Sequence, residues 1–215
     1  IGHALHTLSH YQGSSSNILV NNTLITMYGK CGLIRDAEDV FESMPKRDII
    51  SWNAMLSAYV EHGLVKRAFQ LFRQIQVECI DHDLRTFVIA LQACCILARN
   101  EDLGSTDIQS CSRVIIALEI GRGLHADLRK KDQRFDIYVN NVLVSMYGKC
   151  GSIVEAKNVF CGMDGYRNTI SWNEMVLAYV EQGCITGALQ LYKVMQQSYI
   201  NPDQWSFVIF LQACC

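Results

Sequence analysis

Val20–Gly32 reads VNNTLITMYGKCG, and the stretch returns as Val139–Gly151, VNNVLVSMYGKCG, with ten of thirteen positions identical at an offset of 119. A chain that copies itself at a fixed distance is an array, whose units bury apolar surface mainly against their neighbours. A second pair of copies follows: Ile49–Asp83 returns as Thr169–Asp203 at an offset of 120, with 16 of 35 residues identical. A third type of unit, Leu84–Asp136, opens with TFVIALQACC and is matched from Ser206 by SFVIFLQACC. Residues 1–17 align with 120–136. The expected order is therefore 1–17 (second helix of a third-type unit), 18–48, 49–83, 84–136, 137–168, 169–203 and 204–215 (start of another third-type unit).

Each unit reads as two helices. Val20, Leu24, Met27 and Tyr28 fall at i, i+4, i+7 and i+8, and Ala37, Val40, Phe41 and Met44 at i, i+3, i+4 and i+7. Both spacings put one apolar stripe on a helix. Gly29 and Gly32 read as helix-ending glycines, and Pro45 closes the second helix. In the second unit Trp52, Met55, Leu56 and Tyr59 form the first stripe and Ala68, Leu71, Phe72 and Ile75 the second, with Gly63 between them. The 84–136 unit has 53 residues, too many for one hairpin. Its polar, turn-rich middle, about 99–116, is expected to be a loop inserted between the two helices.

Composition narrows the function classes. The formal net charge is −2, which weighs against binding dominated by phosphate neutralisation. No run of about 18 apolar residues is present, so no membrane span is expected. The ten cysteines include no Cys-x-x-Cys pair, which argues against structural zinc. Cys31/Cys150, Cys94/Cys214 and Cys95/Cys215 recur at equivalent places, as small residues packed between helices would. His3, His6 and His10 share a helix face, but of their counterparts Arg122, His125 and Arg129 only His125 keeps the histidine, so no metal or other cofactor is expected. No Gly-rich phosphate loop, nucleophile elbow or zinc-deaminase motif occurs. The chain lacks an initiator Met and stops in mid-pattern, and is read as a fragment.

The cycle of units of 31 and 35 residues, with a third of about 35 once its insert is set aside, resembles the PLS class of pentatricopeptide repeat proteins. NTLITMYGKCG and MPKRD in 22–48 resemble the short S motif. SWNAMLSAYVEHG in 51–63 resembles the P motif. TFVIALQACC with ALEIGRGLHA at 117–126 resembles the L motif. The resemblance implies an all-α fold, a right-handed superhelical solenoid of antiparallel helix-turn-helix repeats. It implies single-stranded RNA as partner, read one base per repeat by two or three side chains. No catalytic residue is implied. It further implies a land-plant protein of the mitochondrion or chloroplast that selects sites for C-to-U editing or other RNA processing, together with editing-complex proteins.

By the resemblance, the reading pairs are Asn22 with Asp48, Asn53 with Asp83, Asn141 with Asn168, and Asn173 with Asp203. Val88 with Asp136 departs from the polar pattern and implies a weaker contact. The implied target is pyrimidine-rich, 5′-U-U-x-C/U-U-3′. Leu19, Ile50, Tyr138 and Ile170 match the places that sandwich bases. The chemistry suits these residues, since an amide carries both donor and acceptor and can meet a pyrimidine edge. Other roles stand beside these. Asp48, Asp83, Asn168 and Asp203 each precede a helix, where Asp and Asn cap. An Asn near a helix start can bond its own backbone. One extra residue near 164–167 leaves Arg167 as a second candidate to close its unit. Lys30 and Lys149 suit either a phosphate or a helix C-terminus, and Trp52, Trp172, Tyr28 and Tyr147 read as inter-helix core. Two other functions fit helical repeats: a protein-binding scaffold, and the repeat portion of a longer deaminase.

Overall fold

A computed structural model describes residues 17–78, 80–81, 83–99, 107–130, 136–163 and 165–213. The described residues hold eleven helices and no strand: α1 Ile18–Lys30, α2 Ile34–Ser43, α3 Ile49–Glu61, α4 Val65–Val77, α5 Leu84–Arg99, α6 Asp107–Lys130, α7 Ile137–Lys149, α8 Ile153–Gly162, α9 Thr169–Glu181, α10 Ile185–Gln197 and α11 Gln204–Ala213. The fold is all-α. It divides into two compact units, residues 1–96 and 97–215. Among the described residues no helix is long and apolar enough to cross a membrane.

The hairpin turns are built alike. Gly32, Gly63, Gly151 and Gly183 have φ of 75°, 68°, 75° and 68°. A left-handed residue after a helix lets the next N–H turn back onto the last-turn carbonyls. Leu33 N–H donates to Tyr28 O (3.0 Å), Leu64 to Tyr59 O (2.8 Å), Ser152 to Tyr147 O (2.8 Å) and Cys184 to Tyr179 O (2.9 Å). Gly29 is not among the helix-ending glycines. It lies inside α1, where a Cβ would sit 2.8 Å from Ala58 Cβ on α3. Gly148 of α7 stands to Ala178 of α9 in the same way, at 2.5 Å. Neighbouring first helices approach backbone to backbone there, and His62 Nε2 comes within 2.6 Å of Gly29 O.

Trp52, Trp172, Tyr28 and Tyr147 are buried, as expected of core residues. Trp52 meets Phe41 edge-on at 5.0 Å, and Trp172 meets Phe160 the same way at 5.0 Å. Such pairs add specificity of geometry to the area they bury.

Two expectations need correcting. The inserted loop was placed at about 99–116, yet Arg99 ends α5 and 107–116 is the start of α6. No Gly or Pro lies between Gly104 and Gly121, so nothing interrupts a helix extended backwards from Ala117. Residues 100–106 lie outside the described residues, as do His3, His6 and His10. Cys31 is exposed whereas its counterpart Cys150 is buried. Cys94 and Cys95 are buried, as small packing residues are.

Candidate functional site

The closing residues of the units cap the next helix. Asp48 precedes α3 in extended conformation (φ −101°, ψ 175°). Its Oδ1 accepts from Ser51 N (2.8 Å), and Ser51 Oγ accepts from Asp48 N (3.3 Å), a reciprocal capping box. Asn168 repeats this before α9 with Ser171 (3.0 and 3.3 Å). Asp203 does so before α11 with Ser206 (2.7 and 3.1 Å). Asp83 Oδ1 accepts from Thr86 N (2.9 Å). The capping role is therefore real, and it is not the whole role.

The asparagines of the first helices reach the same caps. Asn22 Nδ2 donates to Asp48 Oδ1 (3.2 Å), Asn53 Nδ2 to Asp83 Oδ1 (3.1 Å) and Asn173 Nδ2 to Asp203 Oδ1 (3.2 Å). These bonds span 26, 30 and 30 residues, so the three amides do not serve their own helix starts. All four asparagines are deeply buried, Asn22 and Asn141 at 6%, Asn53 at 3% and Asn173 at 5% exposure. Asn141 differs: no such bond joins it to Asn168, whose Oδ1 is turned to Ser171.

One carboxylate oxygen, Oδ1, accepts both the cap N–H and the asparagine amide in each pair. Burial pushes the Asp48 carboxyl up, but bonds from Ser51 N–H, the Ser51 hydroxyl, the Asn22 amide and Ile50 N–H outweigh it and hold it below the ordinary range. Burial likewise opposes, and is outweighed at, Asp83, where Thr86, Asn53 and the nearby Arg85 lower the carboxyl. Asp203 is lowered chiefly by Ser206 N–H. All three are anions at neutral pH.

Arg47 and Arg167 are placed alike. Arg47 lies 4.6 Å over the Phe41 ring and donates from Nε to Phe41 O (2.8 Å) and from Nη2 to Glu42 O (3.1 Å). Arg167 lies 4.4 Å over Phe160 and donates to Phe160 O (2.9 Å) and Cys161 O (3.1 Å). Each guanidinium satisfies carbonyls at a helix C-terminus. Arg167 thus occupies the place of Arg47, and Asn168 that of Asp48. The extra residue is taken up before Arg167, where Gly165 has φ 86°.

Leu19, Ile50, Tyr138 and Ile170 stand three residues before their asparagines, on the same helix face, and are 71%, 59%, 54% and 54% exposed. Within the compact unit of residues 1–96, Ile50, Asn53, Asp83, Thr26, Lys30 and Arg85 line one groove of about 280 Å³. The L-type residues do not join the pattern. Val88 is buried in α5. Asp136, before α7, makes no side-chain cap bond. A larger cavity, about 1120 Å³, lies among α6, α7 and α8 and holds only Asp136 of the candidate residues. Lys149 Nζ donates to Ser145 Oγ (2.9 Å).

Sequence reasoning passed over the third members of these clusters, Ser51, Thr86, Ser171 and Ser206, all fully buried. The signal was present: a hydroxyl three residues after Asp48, Asp83, Asn168 and Asp203, but Val139 three residues after Asp136.

Family models for the pentatricopeptide repeat match residues 22–49 and 141–167, and a second model described as a PPR repeat family matches 47–96 and 167–215. A chloroplastic pentatricopeptide repeat-containing protein of Arabidopsis thaliana is 35% identical over 88% of this chain and 33% of its own length. A second from that plant, named chloroplastic/mitochondrial, is 35% identical over 99% of this chain and 31% of its own length. A mitochondrial one is 33% identical over 99% of this chain and 32% of its own length. The chain thus spans about a third of the curated relatives it matches. Among solved structures, maize pentatricopeptide repeat protein PPR10 aligns at 17% identity and a TM-score of 0.46, over 97% of this chain and 33% of that one. The same protein bound to an 18-nucleotide psaJ RNA element aligns at 16% and 0.42, over 99% and 40%. The matches in both halves place the chain in the pentatricopeptide repeat family.

Proposed function

We propose that the chain binds single-stranded RNA in a sequence-specific manner, one base per S- or P-type unit, as part of a PLS-class array. The observation that carries this reading is the recurrent pair in which a buried asparagine amide meets the carboxylate that closes its own unit and caps the helix after it. A scaffold for proteins would not need an amide at one fixed place per unit. Asn22 with Asp48, Asn53 with Asp83, Asn141 with Asn168 and Asn173 with Asp203 face pyrimidines in chain order, giving 5′-U-U-x-C/U-U-3′. Leu19, Ile50, Tyr138 and Ile170 cover the base faces; stacking on Tyr138 contributes about 1–3 kcal/mol and the aliphatic contacts less. Val88 and Asp136 tolerate any base. The array positions a transcript for C-to-U editing or other processing in a chloroplast or mitochondrion, a location supported by the names of the relatives. Any reaction is performed by further protein, whether in the same polypeptide or an editing partner.

The test is binding to a short oligoribonucleotide containing UUNUU against its purine counterpart at ~150 mM salt, where non-specific phosphate binding is suppressed. Tighter binding to the pyrimidine strand supports the proposal; equal affinities overturn it. Asn53→Thr carries the test to one base. The family code implies that preference there moves from uracil towards guanine, whereas equal loss on all four bases assigns Asn53 a structural role.

A further inference from the structure

We propose that Thr86 and Ser206 are positioning residues that lock the reading amides of the P-type units, and that the S-type units, which lack the lock, discriminate bases less sharply. This rests on the RNA-reading proposal above. An asparagine amide turns readily about χ2, so a bond at one end leaves its plane free to swing, and bonds at both ends fix it.

In the P-type units both ends are tied. Asn53 Nδ2 donates to Asp83 Oδ1 (3.1 Å) while its Oδ1 accepts from Thr86 Oγ1 (2.8 Å). Asn173 Nδ2 donates to Asp203 Oδ1 (3.2 Å) while its Oδ1 accepts from Ser206 Oγ (2.6 Å). Each hydroxyl also lies near the capping carboxylate, at 3.0 and 2.8 Å, but nearer the amide oxygen in both cases. In the S-type units Ser51 and Ser171 direct their hydroxyls to Asp48 (2.9 Å) and Asn168 (3.0 Å) instead. Asn22 Oδ1 and Asn141 Oδ1 are buried with no hydrogen-bond partner. Asn22 is held at one end and Asn141 at neither.

The consequence follows from satisfaction of the amide oxygen. In a P-type unit that oxygen is turned inward and bonded, so the amide meets a base with a fixed N–H. In an S-type unit the orphaned oxygen gains a partner by swinging towards a base N–H. Such an amide accommodates a donor or an acceptor on the base edge. Discrimination is therefore ordered Asn53 and Asn173 first, Asn22 next and Asn141 last.

The test varies the single base facing Asn53, Asn22 or Asn173 and measures affinity for the unmodified chain, Thr86→Val and Thr86→Ser. Thr86→Val is close in shape and keeps the backbone N–H that caps onto Asp83; Thr86→Ser keeps the hydroxyl. Expected are a sharper preference facing Asn53 than Asn22, and a loss of about fivefold of that preference in Thr86→Val, one hydrogen bond's worth. Preference facing Asn173 is unchanged, and Thr86→Ser restores the rest. An equal loss on all four bases, an unchanged preference in Thr86→Val, or failure of Thr86→Ser overturns the lock. A second readout needs no RNA: hydrogen exchange of the side-chain NH2 of Asn53 by NMR, expected slower than that of Asn22 and faster in Thr86→Val. Base preference without the Thr86 effect sinks the lock alone. Slow Asn53 exchange with no base preference in the unmodified chain sinks the reading proposal and, with it, the specificity role of Thr86.

Discussion

At the scale of single residues, the same oxygen of Asp48 caps a helix and holds an asparagine, so its charge is tied to stability. Its carboxyl is lowered on folding, as are those of Asp83 and Asp203. A depressed carboxyl adds stability that is present above the unfolded value near 4 and is lost as pH falls through the folded value. The part of the melting temperature, read by circular dichroism, that these carboxylates supply should thus hold from about pH 8 to 5 and fall below about pH 4. Asp48→Asn should flatten part of that fall while keeping the α3 cap, as Asn168 does for α9. His125 behaves in the opposite chemical sense with the same pH direction. Burial pushes its imidazole below the ordinary value, Arg129 adds to this, and Glu155 opposes it. Its neutral ring lies 2.9 Å from the Tyr147 hydroxyl. Stability from the neutral form is complete above the unfolded value near 6.5 and is lost as pH falls through the folded one. His125→Phe should make melting less sensitive to acidification between pH 7 and 5; equal sensitivity would remove His125 from the account.

At the scale of helices, the contacts of α1 with α3 and of α7 with α9 depend on glycines that do not end helices. A methyl on Gly148 would lie 2.5 Å from Ala178 Cβ and 3.2 Å from Ala178 Cα. The second of these is backbone and yields only if a helix moves. Gly148→Ala should destabilise the second unit by about 1–3 kcal/mol in urea titration, although alanine favours an isolated helix. Ala178→Gly placed beside it should restore part of the loss. If Gly148→Ala instead stabilises, helix propensity outweighs the close approach. The repeated Gly29 and Gly148 were visible as recurring letters. Their role was not, because the sequence shows that a glycine sits near a helix end without showing which helix crosses it.

At the scale of the whole molecule, charge sets how the proposed RNA binding should depend on salt. With a net charge of −2, few phosphates can be neutralised. Each neutralised phosphate on a single strand contributes about −0.7 to the slope of log K against log salt. Affinity carried by base edges and apolar sandwich residues predicts a slope no steeper than about −3. A slope near −6 would mean that local clusters of Lys and Arg dominate despite the overall charge. A shallow slope would support specificity carried by the pairs and not by the field of the molecule.

The copied stretches by themselves determined the helical hairpins, the recurring asparagines and the Asp or Asn that closes each unit. These are one-dimensional facts, a period and a spacing. The middle of the 84–136 unit misled because polar, turn-rich composition hides a helix when no Gly or Pro interrupts it. Only the tertiary structure decided that Asn22, Asn53 and Asn173 reach across 26 or 30 residues to the cap of the next helix, and that Asn141 does not. It also decided that Thr86 and Ser206 bond the amide while Ser51 and Ser171 bond only the cap. The physical reason is that a hydrogen bond depends on tenths of an ångström and on the direction of a side chain. Those are set by how one helix start packs against the preceding first helix, and no spacing along the chain contains them.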